Sequence, residues 1–368
     1  MTSKQRIACL LRGEIPDRVG RAEAPWIETR ARWAHEGLPA GVHANDHFAM
    51  DIRHLLKVDT SFRLPSAVLE DGPDYQVVQT SDGGTSRCWK HTGVPHALSF
   101  GITCATDWSR LRERLTLDPN RFAFGYYGDY WSECVSDDIA KVQTTYRNCP
   151  TRQTTSIPLQ VPDPVEGFLG KIGDEMLLIW LATEPELITD MFATHAQYIC
   201  RLLDLAIELG LAPDFVWIGG DIAYKNGLLF SPAMYRELLM PHHKTIIRHV
   251  HDYGLPVVYH TDGDCRAAIP MLIEAGIDCL QPMEVRAGLD VRDLARQYGD
   301  KIAFMSNISV ESLAAGGPKM RDELTDKVCF MTKNRYRYIY HSDHSLPDQT
   351  SLANFTQAMG ILDREGRY

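Results

Sequence analysis

The sequence predicts an α/β protein: a single (β/α)8 TIM barrel spanning residues 1–368, with an N-terminal helical segment and a β-hairpin insertion at 62–106. Three observations carry this expectation. From about residue 150 the chain alternates apolar runs with helical segments, the rhythm of parallel strands joined by helical crossovers. The runs are nearly continuous in apolar character, as in strands covered on both faces. Run after run then ends on polar side chains. An open doubly wound sheet would share the alternation, but no GxGxxG or P-loop sequence follows a strand. In a barrel the strand ends rise into one shared cup.

The elements follow in order. "SKQRIACLLRG" has apolar residues at helical spacing and stops at Gly13; "PDRVG" then turns into a strand, "RAEAPWIET". Residues 62–106 alternate polar and apolar residues around "EDGPD" and "SDGGTS", which reads as an antiparallel insertion or flap. "RQTTSIPLQV" is a strand, and "PELITDMFATHAQYICRLLDLAIELG" a long amphipathic helix ending at Gly210. "DFVWIGGD" is the next strand. The helix "SPAMYRELLMPHHKTIIRHVHDYG" has a Ser-Pro start and a Gly stop. Then come the strand "PVVYHTDGD", the helix "CRAAIPMLIEAG", the strand "DCLQPMEV", the helix "DVRDLARQYG" and the strand "KIAFMSNIS". A helix near "MRDELTDKVCFMTKN", the strand "RYIYHSDHS" and the helix "SLANFTQAMGILDREG" complete the pattern.

The strand ends hold the candidate site: Asp221; then His260, Asp262 and Asp264; then Glu284; then Asn307; then His341, Asp343 and His344. Any one Asp could cap the following helix. His and Glu are poor caps, so five polar ends in succession point to a functional cup.

Composition narrows the class. The chain is 44% hydrophobic and 23% charged, with a net charge of −10. That balance argues against nucleic acid or an anionic membrane as partner. No apolar run approaches a membrane span, and the first residues lack a signal-peptide core, so a cytoplasmic protein is expected. Nine scattered cysteines form no paired metal spacing; only Cys265 falls in a motif of chemical interest. His242, His243, His249 and His251 lie on a predicted helix among basic residues and are expected on a solvated face.

The chain resembles the uroporphyrinogen decarboxylase superfamily, and within it the methyltransferase-like branch. The segments that carry the resemblance are "RGEIPDRV", "HFAMDI", "GGDIAYKNGLLFSPAMYRELLMPHHKTII", "VVYHTDGD", "LQPMEV" and "YIYHSDHSLPDQTSLANF", clearest from about 155 to 365. The resemblance implies the barrel already expected. It also brings departures. The decarboxylase's arginine-rich stretch, like RQAGRY, is absent; "APWIETRARW" stands there with only Arg30 and Arg32. A substrate with many carboxylates needs a cluster of arginines. The zinc methyltransferases carry a His-x-Cys and a late Cys; here His260 keeps the His, Asp262 replaces the Cys, and "HSDHSLP" occupies the late position.

An oxygen and nitrogen ligand set for zinc is therefore expected from His260, Asp262, Glu284, Asp343 and His344. The resemblance implies a demethylating enzyme that takes a methyl group from a methoxy compound and passes it to a corrinoid (cobalamin) protein. Asp221, Lys225, Glu284 and His341 are the expected catalytic groups; Trp26, Asp51, Tyr259 and Asn307 the expected substrate contacts. Tyr259 could equally point into the helix layer. Asp221 and Glu284 should share one cavity, so that one carboxylate takes a proton unless a cation or Lys225 compensates. The alternative to metal is a network of carboxylates orienting histidines. A decarboxylase, of uroporphyrinogen type or for a smaller carboxylate, is the runner-up; a non-catalytic ligand-binding barrel stands outside catalysis. The resemblance also admits a homodimer.

Overall fold

The computed structural model describes residues 1–90 and 95–368. Eight parallel strands form the wall: β1 (Gly20–Arg21), β2 (His54–Val58), β3 (Pro158–Pro162), β4 (Phe215–Gly219), β5 (Val257–Thr261), β6 (Cys279–Pro282), β7 (Ala303–Met305) and β8 (Tyr338–Tyr340). They lie side by side in chain order from β2 to β8, and β8 pairs with β1. The backbone N–H groups of Asp51 and Ile52 donate to the Arg21 carbonyl at 2.8 and 3.4 Å, bringing the start of β2 beside β1. A ninth strand, Phe122–Tyr126, runs antiparallel along β2.

Alternation along each strand sorts the side chains into two layers. Leu159, Val216, Ile218, Tyr259, Leu280 and Phe304 point outward into the large core beneath the helices. Leu55, Trp217, Val258, Cys279, Met305 and Ile339 point inward, and Ile7, Leu10 and Leu11 of the first helix (Ser3–Leu11) join them. The inward residue two places further along each strand stands at the upper rim. From β2 it is Lys57, from β5 His260, from β6 Gln281, and beyond β8 His341. Each crossover carries helices, among them Pro185–Glu208, Met240–Asp252 and Leu352–Glu365. No helix among the described residues is long and apolar enough to cross a membrane.

Three differences from the sequence expectation stand out. The strand foreseen in "RAEAPWIET" pairs only at Gly20–Arg21, and a helix begins at Ile27, so the chain leaves the ring almost at once. β2 and Phe122–Tyr126 had no foreseen counterpart. The insertion is a four-stranded antiparallel sheet (Ala67–Asp71, Tyr75–Gln79, Thr85–Trp89, His96–Ser99) rather than one hairpin; its residues 91–94 lie outside those described.

Candidate functional site

The polar rim encloses two contiguous cavities of about 290 and 310 Å³ that share Lys57, Gln160 and His260. His260 stands between them because β5 pairs with β4 at Gly219 and with β6 at Gln281. His260 Nδ1 meets Gln281 Oε1 across that register. With the amide oxygen as acceptor, Nδ1 carries the proton and Nε2 presents its lone pair. That Nε2 lies 3.6 Å from Asp221 Oδ1.

Asp221 reaches this position through Gly219-Gly220. A Cβ on Gly220 would come within 2.0 Å of Asp163 Cγ, so only glycine lets the strand end pass over Asp163. Asp221 Oδ1 also accepts the Asp262 N–H at 2.9 Å, which draws the loop after β5 toward the end of β4. Asp221, His260 and Asp262 each offer a ligand atom, all within 4.8 Å of one another. Tetrahedral zinc with bonds near 2.1 Å spaces its ligands about 3.4 Å apart, so these three fit a small divalent cation after slight closure. Asp262 Oδ1 supports the fit: it is buried and has no hydrogen-bond partner. Burial pushes the Asp262 carboxyl up, His260 and His344 oppose that shift, and Asp221 and Glu284 add to it. A cation would relieve the crowding. Three protein ligands would leave an open position, as catalytic zinc sites do.

The residues foreseen from the sequence divide. Trp26 and His344 line the larger cavity; their rings meet edge-on at 6.2 Å, and His344 Nε2 lies 3.9 Å from Asp262 Oδ2. His341 forms the floor. Glu284 stands behind the loop, its Oε2 accepting Gly263 N–H at 3.0 Å, outside the triple. Asp262, between Asp221 and Glu284, is a carboxyl of this group whose proton affinity rises.

Several expectations are corrected. Asp343 stands apart from the triple, its oxygens accepting the Val310 and Val285 N–H groups at 2.8 and 3.0 Å. Lys225 is exposed in the turn of a small hairpin between Tyr224 and Gly227 and lines neither cavity. Asp51 precedes β2 and is fully buried, held by Arg6 and Arg18 at 2.8 and 2.9 Å. It lies at the end of the barrel opposite the cup. Asn307 is buried and ties loops together, accepting from Val291 N–H and donating to the carbonyls of Met283 and Leu289. Tyr259 points into the helix layer, where its hydroxyl donates to Asp163 at 2.8 Å. The helix carrying His242 and His243 does not present them to solvent: both are buried, and His243 joins Asp163 at 3.1 Å and Tyr235 at 2.9 Å.

Other residues of the cup were not foreseen, and all of them but Gln160 and Trp217 come from elements the sequence reading passed over. Lys57 projects from β2, its Nζ donating to the Asp129 carbonyl. Gln160 stands beside it in register. Tyr127 packs against Trp217 with centroids 5.2 Å apart. Glu166, in the first turn of the helix Pro164–Ile172, opens onto the smaller cavity; partial desolvation and the nearby Asp163 and Asp221 push its carboxyl up to about 7. Arg30 is taken up by Asp129 and Glu133, and Arg32 by Glu36. Among the described residues no arginine and no cysteine lines either cavity. Cys265 is fully buried, its thiol pushed up to about 12 by that burial.

Residues 170–364 match the family model described as uroporphyrinogen decarboxylase (URO-D). Among solved structures, a methyltransferase from Methanosarcina mazei is 13% identical, with 99% of each chain covered and a TM-score of 0.64, so the two share a fold from end to end. An ochratoxinase from A. niger is 16% identical over 46% of this chain and 41% of its own, at a TM-score of 0.28, too low to show a common fold. No curated protein matches the chain by sequence.

Proposed function

The chain belongs to the uroporphyrinogen decarboxylase family, and from that premise we propose that it is a methyltransferase. It takes a methyl group from a small methylated, methoxy-type compound and passes it to the cobalt of a corrinoid protein, with zinc at the rim of the barrel. One observation carries the reading: Asp221, His260 and Asp262 bring ligand atoms within 4.8 Å of one another in a cup that no thiol of the described residues lines. A reduced cobalt acceptor is itself the nucleophile, so the protein needs none. Its work is to bind, orient and ease the departure of the oxygen that loses its methyl group.

Asp221, His260 and Asp262 would hold the zinc; their two carboxylates match its double charge. When bound, zinc supplies a Lewis acid for the departing oxygen. Gln281 keeps the His260 proton on Nδ1, so Nε2 stays free to ligate. Trp26, Tyr127 and Trp217 give the larger cavity apolar walls that exclude water around a small organic donor. Lys57 and Gln160 offer polar contacts at its base. The lack of a lining arginine speaks against a polycarboxylate substrate and the porphyrinogen decarboxylase reading.

The test is direct. Purified protein should carry about one zinc per chain, reduced in His260→Ala. Supplied with a methoxylated donor and cobalt(I) cobalamin, it should convert the corrinoid spectrum to that of the methylated form. Consumption of a carboxylated donor with release of carbon dioxide and no cobalt methylation would overturn the assignment.

A further inference from the structure

Glu23, just beyond β1, is a carboxylate buried to 1% exposure with no arginine or lysine among the described residues within ion-pairing distance. Asp51, the other deeply buried carboxylate near β1, has two arginines. Glu23 is satisfied by hydrogen bonds instead: from Ala24 N–H at 3.0 Å, the Ser342 hydroxyl at 2.6 Å, and at 3.3 Å from both Ser342 N–H and the Tyr340 hydroxyl. The basic group beside it among the described residues is His341, whose Nε2 lies 3.8 Å from Glu23 Oε1. His341 Nδ1 meets the Ser342 carbonyl at 2.6 Å, and a carbonyl only accepts, so Nδ1 carries a proton in either charge state. Nε2 faces the Tyr127 hydroxyl at 2.9 Å, and Tyr127 opens onto the larger cavity.

We propose that Tyr127 is a catalytic proton donor, recharged by His341 under the field of Glu23, which protonates the heteroatom as its methyl group leaves; this rests on the methyl-transfer reading above. With His341 neutral, the Tyr127 hydroxyl donates to Nε2 and turns its proton away from the cavity. With His341 cationic, Nε2–H donates to the Tyr127 oxygen and the phenol proton points into the cavity. In the reacting step the Tyr127 O–H bond breaks as its proton joins the departing oxygen. The Nε2–H bond of His341 breaks as that proton restores Tyr127. The methyl carbon goes to the acceptor's cobalt and the C–O electron pair stays on the oxygen. Glu23 neither gives nor takes a proton in this step, and His341 ends neutral. Tyr127 suits the role because its burial and Glu23 hold the phenol well above its ordinary range, so it acts as a donor and does not ionise. Besides Glu23, Tyr127 and His341 itself, the charged and titratable groups around the cavity are Lys57, Asp129, Tyr130, His260, Asp262 and His344.

Nitrogen NMR of histidine-labelled protein, prepared without added metal, reads the relay without turnover. Wild type should show Nδ1 protonated throughout and Nε2 gaining a proton as pH falls. In Glu23→Gln the midpoint of that gain should drop by about 1 to 3 pH units, and Glu23→Asp should restore most of it. An Nε2 that stays bare until the protein unfolds would overturn the relay, as would a midpoint unmoved by Glu23→Gln. If Glu23→Gln does not fold, the wild-type titration still decides. With aryl methyl ethers of graded leaving-group basicity, Tyr127→Phe should lower kcat more than it raises KM. The loss should grow with leaving-group basicity, reaching about 100-fold for the poorest. An equal loss across the series would make Tyr127 a wall residue and sink the proposal. Should the titration behave as stated while no donor methylates cobalt, the methyl-transfer reading fails and the relay stands.

Discussion

Gln281 and Asp51 test opposite ends of the barrel. Gln281 has one clear task, to fix the His260 ring through its Nδ1. Gln281→Leu keeps the size but frees the ring. Zinc affinity should fall about 10- to 100-fold, read by competition with a chromogenic chelator, while the thermal midpoint of the metal-free protein stays close to wild type. Asp51→Asn should do the reverse. It takes one counter-charge from Arg6, which keeps Asp17, and from Arg18, which keeps only the Val19 carbonyl, and that costs about 1–3 kcal/mol. Urea melts should show that loss, and zinc bound per folded chain should not change. Equal zinc loss in Asp51→Asn would place Asp51 in the cup after all.

Within the strands and their loops, Gly220→Ala is the sharpest probe. The added Cβ would collide with Asp163, so the end of β4 must move and carry Asp221 with it. Stability should drop by about 1–3 kcal/mol and zinc affinity should fall in the same variant, measured by a melt and a chelator titration. A stable protein with full zinc affinity would show that the strand end tolerates displacement. The same strands explain what the sequence made legible. From β3 onward an apolar run followed by a polar residue marked both the strand and the cup, and Asp221, His260 and Asp262 were visible that way. Lys57, Gln160 and Gln281 were readable by the same period of two, since each follows an inward position by two residues, but they sit inside runs rather than at their ends. Tyr127 and Glu23 were not readable: one follows a strand with no foreseen counterpart, and the other's partners lie some 320 residues away. His242 and His243 misled because Asp163, which buries His243, is 80 residues distant.

For the molecule as a whole, two pH effects reinforce one another. Burial lowers His54, His195 and His242 to about 4 in the folded protein, against 6.5 for the free group. The unfolded chain therefore binds protons below 6.5 that the folded chain refuses. Stability from these residues is fully present above 6.5 and lost as pH falls toward 4, by about 1.4 kcal/mol per histidine per pH unit. Thermal melts between those limits should show a steep decline, shallower in His242→Gln. Zinc at a hundredfold over its Kd should add about 2.7 kcal/mol. That gain also fades in acid, because two carboxylates and a neutral imidazole must be deprotonated to bind it. A zinc-induced rise in Tm that persists unchanged at low pH would point to ligands other than these three. The ring itself has a further consequence, in time. β1 pairs with β8, joining Gly20–Arg21 to Ile339–Tyr340, so the first strand of the barrel to be synthesised lacks one neighbour until β8 has followed it. Glu23 and His341 sit on either side of that seam. A nascent chain stalled short of β8 can fill much of its core, but it has no floor to its cup. The cup is complete only once β8 has joined the ring.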